Sequence, residues 1–140
     1  EEQRKAEICE KDVVAGIELN AGQIGGYTGG TIEELRKAAE LMEGKKLALG
    51  FRLSICPATS QDYLLAAEEG LLGKFIDFGA QIHGAGDRSV VVQGPGAMGP
   101  REKLVTTSLY TFAGAMGCDD AQVYSGSVET VMEAAVTRRM

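Results

Sequence analysis

The chain has 140 residues, 44% of them hydrophobic, and a net charge of −6, enough for one α/β domain with its own core and too few for two. Nucleic acid and anionic membranes are bound through clustered Lys and Arg, so neither is an expected partner; the basic pairs Arg4-Lys5, Lys45-Lys46 and Arg138-Arg139 are scattered and read as solvated surface. The sequence holds no run of about 18 apolar residues, and the acidic Glu1-Glu2 start lacks the basic-then-apolar order of a leader, so a soluble, cytoplasmic protein is expected. Cys9, Cys56 and Cys118 are odd in number and far apart, with no C-x-x-C, which suggests neither a disulfide framework nor a zinc site.

Residues 1–12 are charged without an apolar stripe and read as a short lead-in or linker helix, with residues 13–140 forming the domain, a piece of a longer chain. Val13, Val14, Ala15, Ile17 and Leu19 are apolar and partly β-branched, the pattern of a buried strand over 13–19. Ile32, Leu35, Ala38, Ala39 and Met42 repeat at helical spacing, and Gly44 stands where a C-terminal cap belongs. A second strand is expected over 47–55, stopped by Pro57, which cannot donate to a central ladder. Thr59-Ser60-Gln61-Asp62 then reads as a helix start, and after Gly70 a second short helix holds Leu71, Leu72, Phe75 and Ile76.

Residues 79–86 read as loop, 89–92 as a short strand, and Gly94 to Pro100 as an irregular segment too rich in Gly and Pro for either regular form. Residues 104–107 fit a strand or a helix, 122–124 a last strand, and Ser127 the cap of a final helix with Val128, Val131 and Ala135 on one face. Strands alternating with helices predict a doubly wound, mostly parallel sheet with helices on both faces, and strands at 13–19, 47–55, 89–92 and 122–124.

One stretch stands out for chemistry. Gly25-Gly26-Tyr27-Thr28-Gly29-Gly30 places four glycines in six positions, and Thr31-Ile32-Glu33-Glu34 follows as a capping box. A glycine turn feeding a helix start is a generic anion cradle, because unpaired N–H groups and the positive end of the helix dipole point at one spot. It is not a P-loop, since no Lys follows the second glycine pair, and the spacing is not G-x-G-x-x-G; a tight turn without ligand fits equally well.

The order of motifs resembles the third domain of the aconitase and isopropylmalate dehydratase family. The family's G-S-C-T-N-G-R before an acidic helix start is similar to Gly25 through Leu35. Its strand ending in Pro and a small residue, then a helix with A-x-x-x-G-L, resembles Arg52 through Ala58 and Ala66 through Leu71. Its A-G after that helix corresponds to Phe78-Gly79, its G-E-R and T-S-N-R-N-F-x-G-R to Arg101-Glu102-Lys103 and Thr107 through Ala115, and its closing S-P-x-x-x-A-A to Ser125 through Ala135. The resemblance covers nearly the whole chain and implies the family's α/β fold.

The family's chemistry does not follow at the matching positions. One cysteine in the first loop and two in a P-G-C-x-x-C loop hold a [4Fe-4S] cluster in the family; here those places hold Tyr27, Asp87 and Val90, and the two substrate-facing arginines fall at Tyr110 and Ala115. The resemblance therefore implies a hydro-lyase-like domain for small di- or tricarboxylic acids that lacks the cluster, is inactive on its own, and works with the remaining domains or subunits of a hydratase. An alternative is an anion- or nucleotide-binding α/β module using residues 25–30, or a scaffold or regulatory pseudoenzyme domain. In open α/β sheets ligands gather beyond the carboxyl ends of strands, so loops 25–31, 79–88, 107–114 and 125–127 are expected to share one cleft, with Thr28, Gly29, Gly30, Thr31, Arg88 and Ser108 as its candidate anion-binding residues. His83 between loop glycines, the adjacent Asp87 and Arg88, and Asp119-Asp120 read as solvated surface rather than catalytic or metal-binding groups.

Overall fold

The computed structural model describes residues 7–8, 16–86, 97–108 and 117–139, with the side chains of Glu7, Ile8 and Tyr27 left out. Along the chain these form β1 (Glu7–Ile8), β2 (Ala21–Ile24), α1 (Gly26–Gly29), α2 (Ile32–Met42), β3 (Arg52–Ile55), α3 (Ser60–Glu68), α4 (Leu71–Phe78), β4 (Gln81–Ile82), β5 (Lys103–Thr106), β6 (Gln122–Ser125) and α5 (Val128–Thr137). The strands make one six-stranded sheet in the order β1-β6-β5-β2-β3-β4, and every pairing is parallel. The α/β domain on a parallel sheet expected from the motif order is what the chain adopts.

Side chains alternate between faces along each strand, and the registers show which residues share a side. Gly22 and Ile24 of β2 lie beside Leu53 and Ile55 of β3, and Val105 and Tyr124 carry that row across β5 and β6. All of these but Gly22 join the apolar stripes of α2, α4 and α5 and Ala66 of α3 in one core cluster. The described helices α2 to α5 thus pack on this face. The connections from β4 to β5 and from β5 to β6 include residues 87–96 and 109–116, which lie outside the described residues.

Several boundaries differ from the sequence reading. The strand expected over 13–19 lies at Ala21–Ile24 instead, while residues 16–20 hold only a turn and an isolated antiparallel bridge between Glu18 and Arg139. The cause is packing: a Cβ on Gly22 would stand 3.0 Å from Phe51 and 3.1 Å from Val131, so the central strand takes small residues of low strand propensity and tertiary contact overrides that propensity. Likewise the strand expected over 47–55 is confined to Arg52–Ile55, because Leu47 and Ala48 donate their N–H groups to Phe78 and Ala135 rather than to the sheet. Within the expected lead-in helix Glu7–Ile8 is an edge strand beside β6, and within the expected loop 79–86 Gln81–Ile82 is an edge strand beside β3. The strand expected at 89–92 lies outside the described residues. Residues 103–106 resolve as strand, and the last strand and the final helix stand where they were expected.

Candidate functional site

β2 connects onward to β3 on one side, while its other neighbour β5 connects to β6 in the opposite direction. The carboxyl ends of β2 and β5 therefore flank a topological switch point, where open α/β sheets form their ligand crevice. The loops at this edge are stitched together. Thr107 donates its N–H to the Gln23 carbonyl at 3.1 Å and its hydroxyl to the Gly25 carbonyl at 2.8 Å. The same hydroxyl accepts the Gly25 N–H at 3.0 Å, and the Thr107 carbonyl accepts the Thr28 hydroxyl at 2.6 Å. On one side Ser125 donates its hydroxyl to the Ser108 carbonyl at 3.0 Å. On the other, Ala58 donates to Gly30 O at 2.8 Å, Gly86 to Pro57 O at 2.9 Å and His83 to Ile55 O at 3.0 Å.

The described parts of loops 25–31, 83–86, 107–108 and 125–127 thus follow one another along a single edge. Gly79 does not join them: it ends α4, at φ 113°, with Leu47 beneath it. Arg88 lies outside the described residues, as do Asp87, Val90, Tyr110 and Ala115.

The glycines of the turn are used up by this stitching. A Cβ on Gly29 would overlap the Thr107 hydroxyl, and one on Gly30 would sit 2.5 Å from Cys56 O and 2.7 Å from Ala58 N. Both absences of a side chain are thus required by neighbouring protein atoms. The hydroxyls are committed as well. Thr28, a candidate anion-binding residue, spends its one proton on Thr107 O, so its side chain offers only acceptor lone pairs to anything else.

The capping box is also corrected: Thr31 makes no side-chain cap hydrogen bond. The Ile32 N–H at the start of α2 is instead taken by Asp62 Oδ1 at 3.1 Å, a carboxylate brought in by α3. Asp62 is itself held by the Thr59 cap, which donates its hydroxyl to Asp62 Oδ2 at 2.7 Å and accepts the Asp62 N–H at 3.1 Å. The helix start expected as an anion cradle already has a protein carboxylate on it, and Glu33 and Glu34 add two more in its first turn.

On the face away from the helices, a row of polar residues crosses the sheet one level below the edge. The registers set Ser125, Thr106, Gln23, Ser54 and Gln81 side by side on five adjacent strands. Gln23, Ser54 and Thr106 are buried. Thr106 donates to Gln23 Oε1 at 2.8 Å and accepts the Ser108 N–H at 3.1 Å. Sequence reasoning missed Thr107 as the centre of the stitching and missed this row, since it ended the first strand at Leu19. The available signal was a lone polar Gln23 between apolar neighbours just before the glycine turn.

His83 is half-buried rather than a surface residue; its Nε2 is buried with no hydrogen-bond partner among the described residues, and burial holds its pKa below the ordinary imidazole value, favouring the neutral ring. Among the described residues no cluster of His, Cys, Asp and Glu is arranged to hold a metal ion, and no helix is long and apolar enough to cross a membrane.

The family model described as "Aconitase family (aconitate hydratase)" matches residues 1–137. The 3-isopropylmalate dehydratase large subunit of Campylobacter hominis is 35% identical over 124 residues, covering 89% of this chain and 30% of that protein. The homoaconitase large subunit of Thermus thermophilus is 37% identical over 123 residues, 88% of this chain and 29% of that protein. The 2,3-dimethylmalate dehydratase large subunit of Eubacterium barkeri is 36% identical over 123 residues, 84% of this chain and 28% of that protein. The chain spans under a third of the length of these relatives.

Proposed function

The chain belongs to the aconitase family, and from that premise we propose that it is a hydro-lyase-type domain that works on small di- or tricarboxylic acids without the family's iron-sulfur cluster. Its relatives are named as large subunits of dehydratases and of homoaconitase, which supports a partner subunit, or further domains, as the source of the catalytic groups. The observation that carries the reading is the edge at the switch point. The loops after β2 and β5 meet there, next to the candidate residues Thr28, Gly29, Gly30, Thr31 and Ser108; Arg88, which follows β4 in the sequence, is a further candidate. Because the turn's hydroxyl proton and the first helix N–H are already spent inside the domain, affinity of the domain alone for a carboxylate is weak. Charged groups from the rest of the protein complete the site.

The residues present do not fit a [4Fe-4S] cluster, which takes thiolate ligands. By the motif resemblance, Tyr27, Asp87 and Val90 fall at the family's ligand positions. Cys56 follows the carboxyl end of β3, whereas Cys118 packs with Ala21 and Leu104 at the amino end of the sheet, so those two thiols lie at opposite ends. Anaerobic reconstitution with iron and sulfide should leave the chain colourless; a stable brown species with about four irons per chain would overturn this part of the reading.

The ligand class is tested by thermal shift with citrate, isopropylmalate, malate and nucleotides, since a ligand bound only by the native state raises apparent stability by mass action. The expected result is a small upward shift with the carboxylates alone. A nucleotide shift without a carboxylate one would point to a nucleotide-binding module instead.

A further inference from the structure

We infer that Thr107 is a positioning residue that sets the geometry of the crevice by clamping the β2 turn to the β5 loop. Three of its polar groups are engaged with one short stretch of chain: its N–H with Gln23, its hydroxyl with both the N–H and the carbonyl of Gly25, and its carbonyl with the Thr28 hydroxyl. Gly25 is extended at φ −175°, so its backbone N–H and carbonyl meet the Thr107 hydroxyl as a donor and an acceptor, in the way a neighbouring strand would. The side chain is buried and fills the room left by the missing Cβ of Gly29. Just past the end of the paired strands β2 and β5, where backbone pairing stops, a single hydroxyl thus continues the ladder by one further step.

The consequence concerns the ligand side. A shift of Thr107 would displace Thr28 and the start of α2 together, since these belong to the same turn, and it would change the spacing between that turn and Ser108. The assignment of Thr107 as a site-shaping group rests on the proposed carboxylate-binding reading, whereas the clamp itself does not.

The two parts are separated by measuring exchange and binding on the same proteins. In wild type, Thr107→Val and Thr107→Ser, amide hydrogen exchange is followed over residues 25–31 and, as an internal reference, over α4. The valine keeps the shape and removes the hydroxyl; the serine does the reverse. Thr107→Val is expected to speed exchange in 25–31 about tenfold, as the loss of a buried hydrogen bond implies, with α4 unchanged, while Thr107→Ser stays within about twofold of wild type. Unchanged exchange in Thr107→Val overturns the clamp, and so does a serine variant as fast as the valine one, because methyl packing would then be the cause. If Thr107→Val fails to fold, Thr28→Val removes the exposed half of the clamp and should loosen the same residues. Citrate titration of the wild type then decides the other part. Loss of binding in Thr107→Val with retention in Thr107→Ser supports positioning of a ligand site. A wild type that binds no carboxylate, with the exchange pattern intact, sinks the carboxylate reading and leaves the clamp standing.

Discussion

The two faces of the sheet are built on different terms. Toward the helices, Ile24, Leu53, Ile55, Val105 and Tyr124 form an unbroken apolar surface under α2, α4 and α5. Toward the other side, apolar Ala21 and Leu104 at the amino end give way to Gln23, Ser54 and Thr106 at the carboxyl end. A parallel strand covered on both sides normally reads as continuously hydrophobic, and each buried polar group must be hydrogen-bonded or it costs stability. Burial at the helix face therefore carries the stability. The polar row is buried and held by hydrogen bonds, and it marks the carboxyl end of the face away from the helices.

Truncating the helix face should give the largest effect. Leu53 is 1% exposed, and Leu53→Ala is expected to cost about 3–4 kcal/mol through lost transfer energy and the cavity left behind. Equilibrium urea denaturation measures it. A cost under about 1 kcal/mol would mean that the helix face is not the stabilising one.

The polar row should answer differently. Thr106→Val removes a donor to Gln23 Oε1 and the acceptor of the Ser108 N–H, with an expected cost of about 1–2 kcal/mol from buried groups left without that partner. Adding Gln23→Leu should recover part of the loss, because replacing both partners by apolar groups is far cheaper than removing one. A double variant less stable than Thr106→Val alone would show instead that Gln23 stabilises the fold beyond its bond to Thr106.

What the sequence disclosed follows the same division. The apolar face was legible wherever a period was long enough to see: Ile32, Leu35, Ala38, Ala39 and Met42 of α2 and Val128, Val131 and Ala135 of α5 are all buried as their spacing implied. The central strand was not, because Ala21-Gly22-Gln23-Ile24 has neither β-branched enrichment nor alternation, and its conformation is imposed by β3 and β5 on its flanks. The glycine turn was visible as a special place. The reason for its glycines was hidden in residues far along the chain: Cys56 and Ala58 against Gly30, and Thr107 against Gly29.

The smallest expected effect separates two helix starts that look alike in sequence. Thr59 and Thr31 each precede a helix with an acidic residue three positions on. Thr59 does accept the N–H of Asp62, so Thr59→Ala should cost about 1 kcal/mol. Thr31 makes no such bond, and the Ile32 N–H beside it is satisfied by Asp62 Oδ1 from α3. Thr31→Val should therefore stay within about 0.5 kcal/mol of wild type, the range of a surface change that breaks no special contact. Denaturation of the two variants side by side makes the comparison internal. Equal costs would mean that Thr31 caps α2 in solution and that Asp62 is not the group holding its start. If Thr31→Val proves neutral for stability and still weakens citrate binding, the lost hydroxyl was meeting the ligand and not the helix, which would place Thr31 in the site. A neutral result in both measurements would show that Thr31 takes no part in binding.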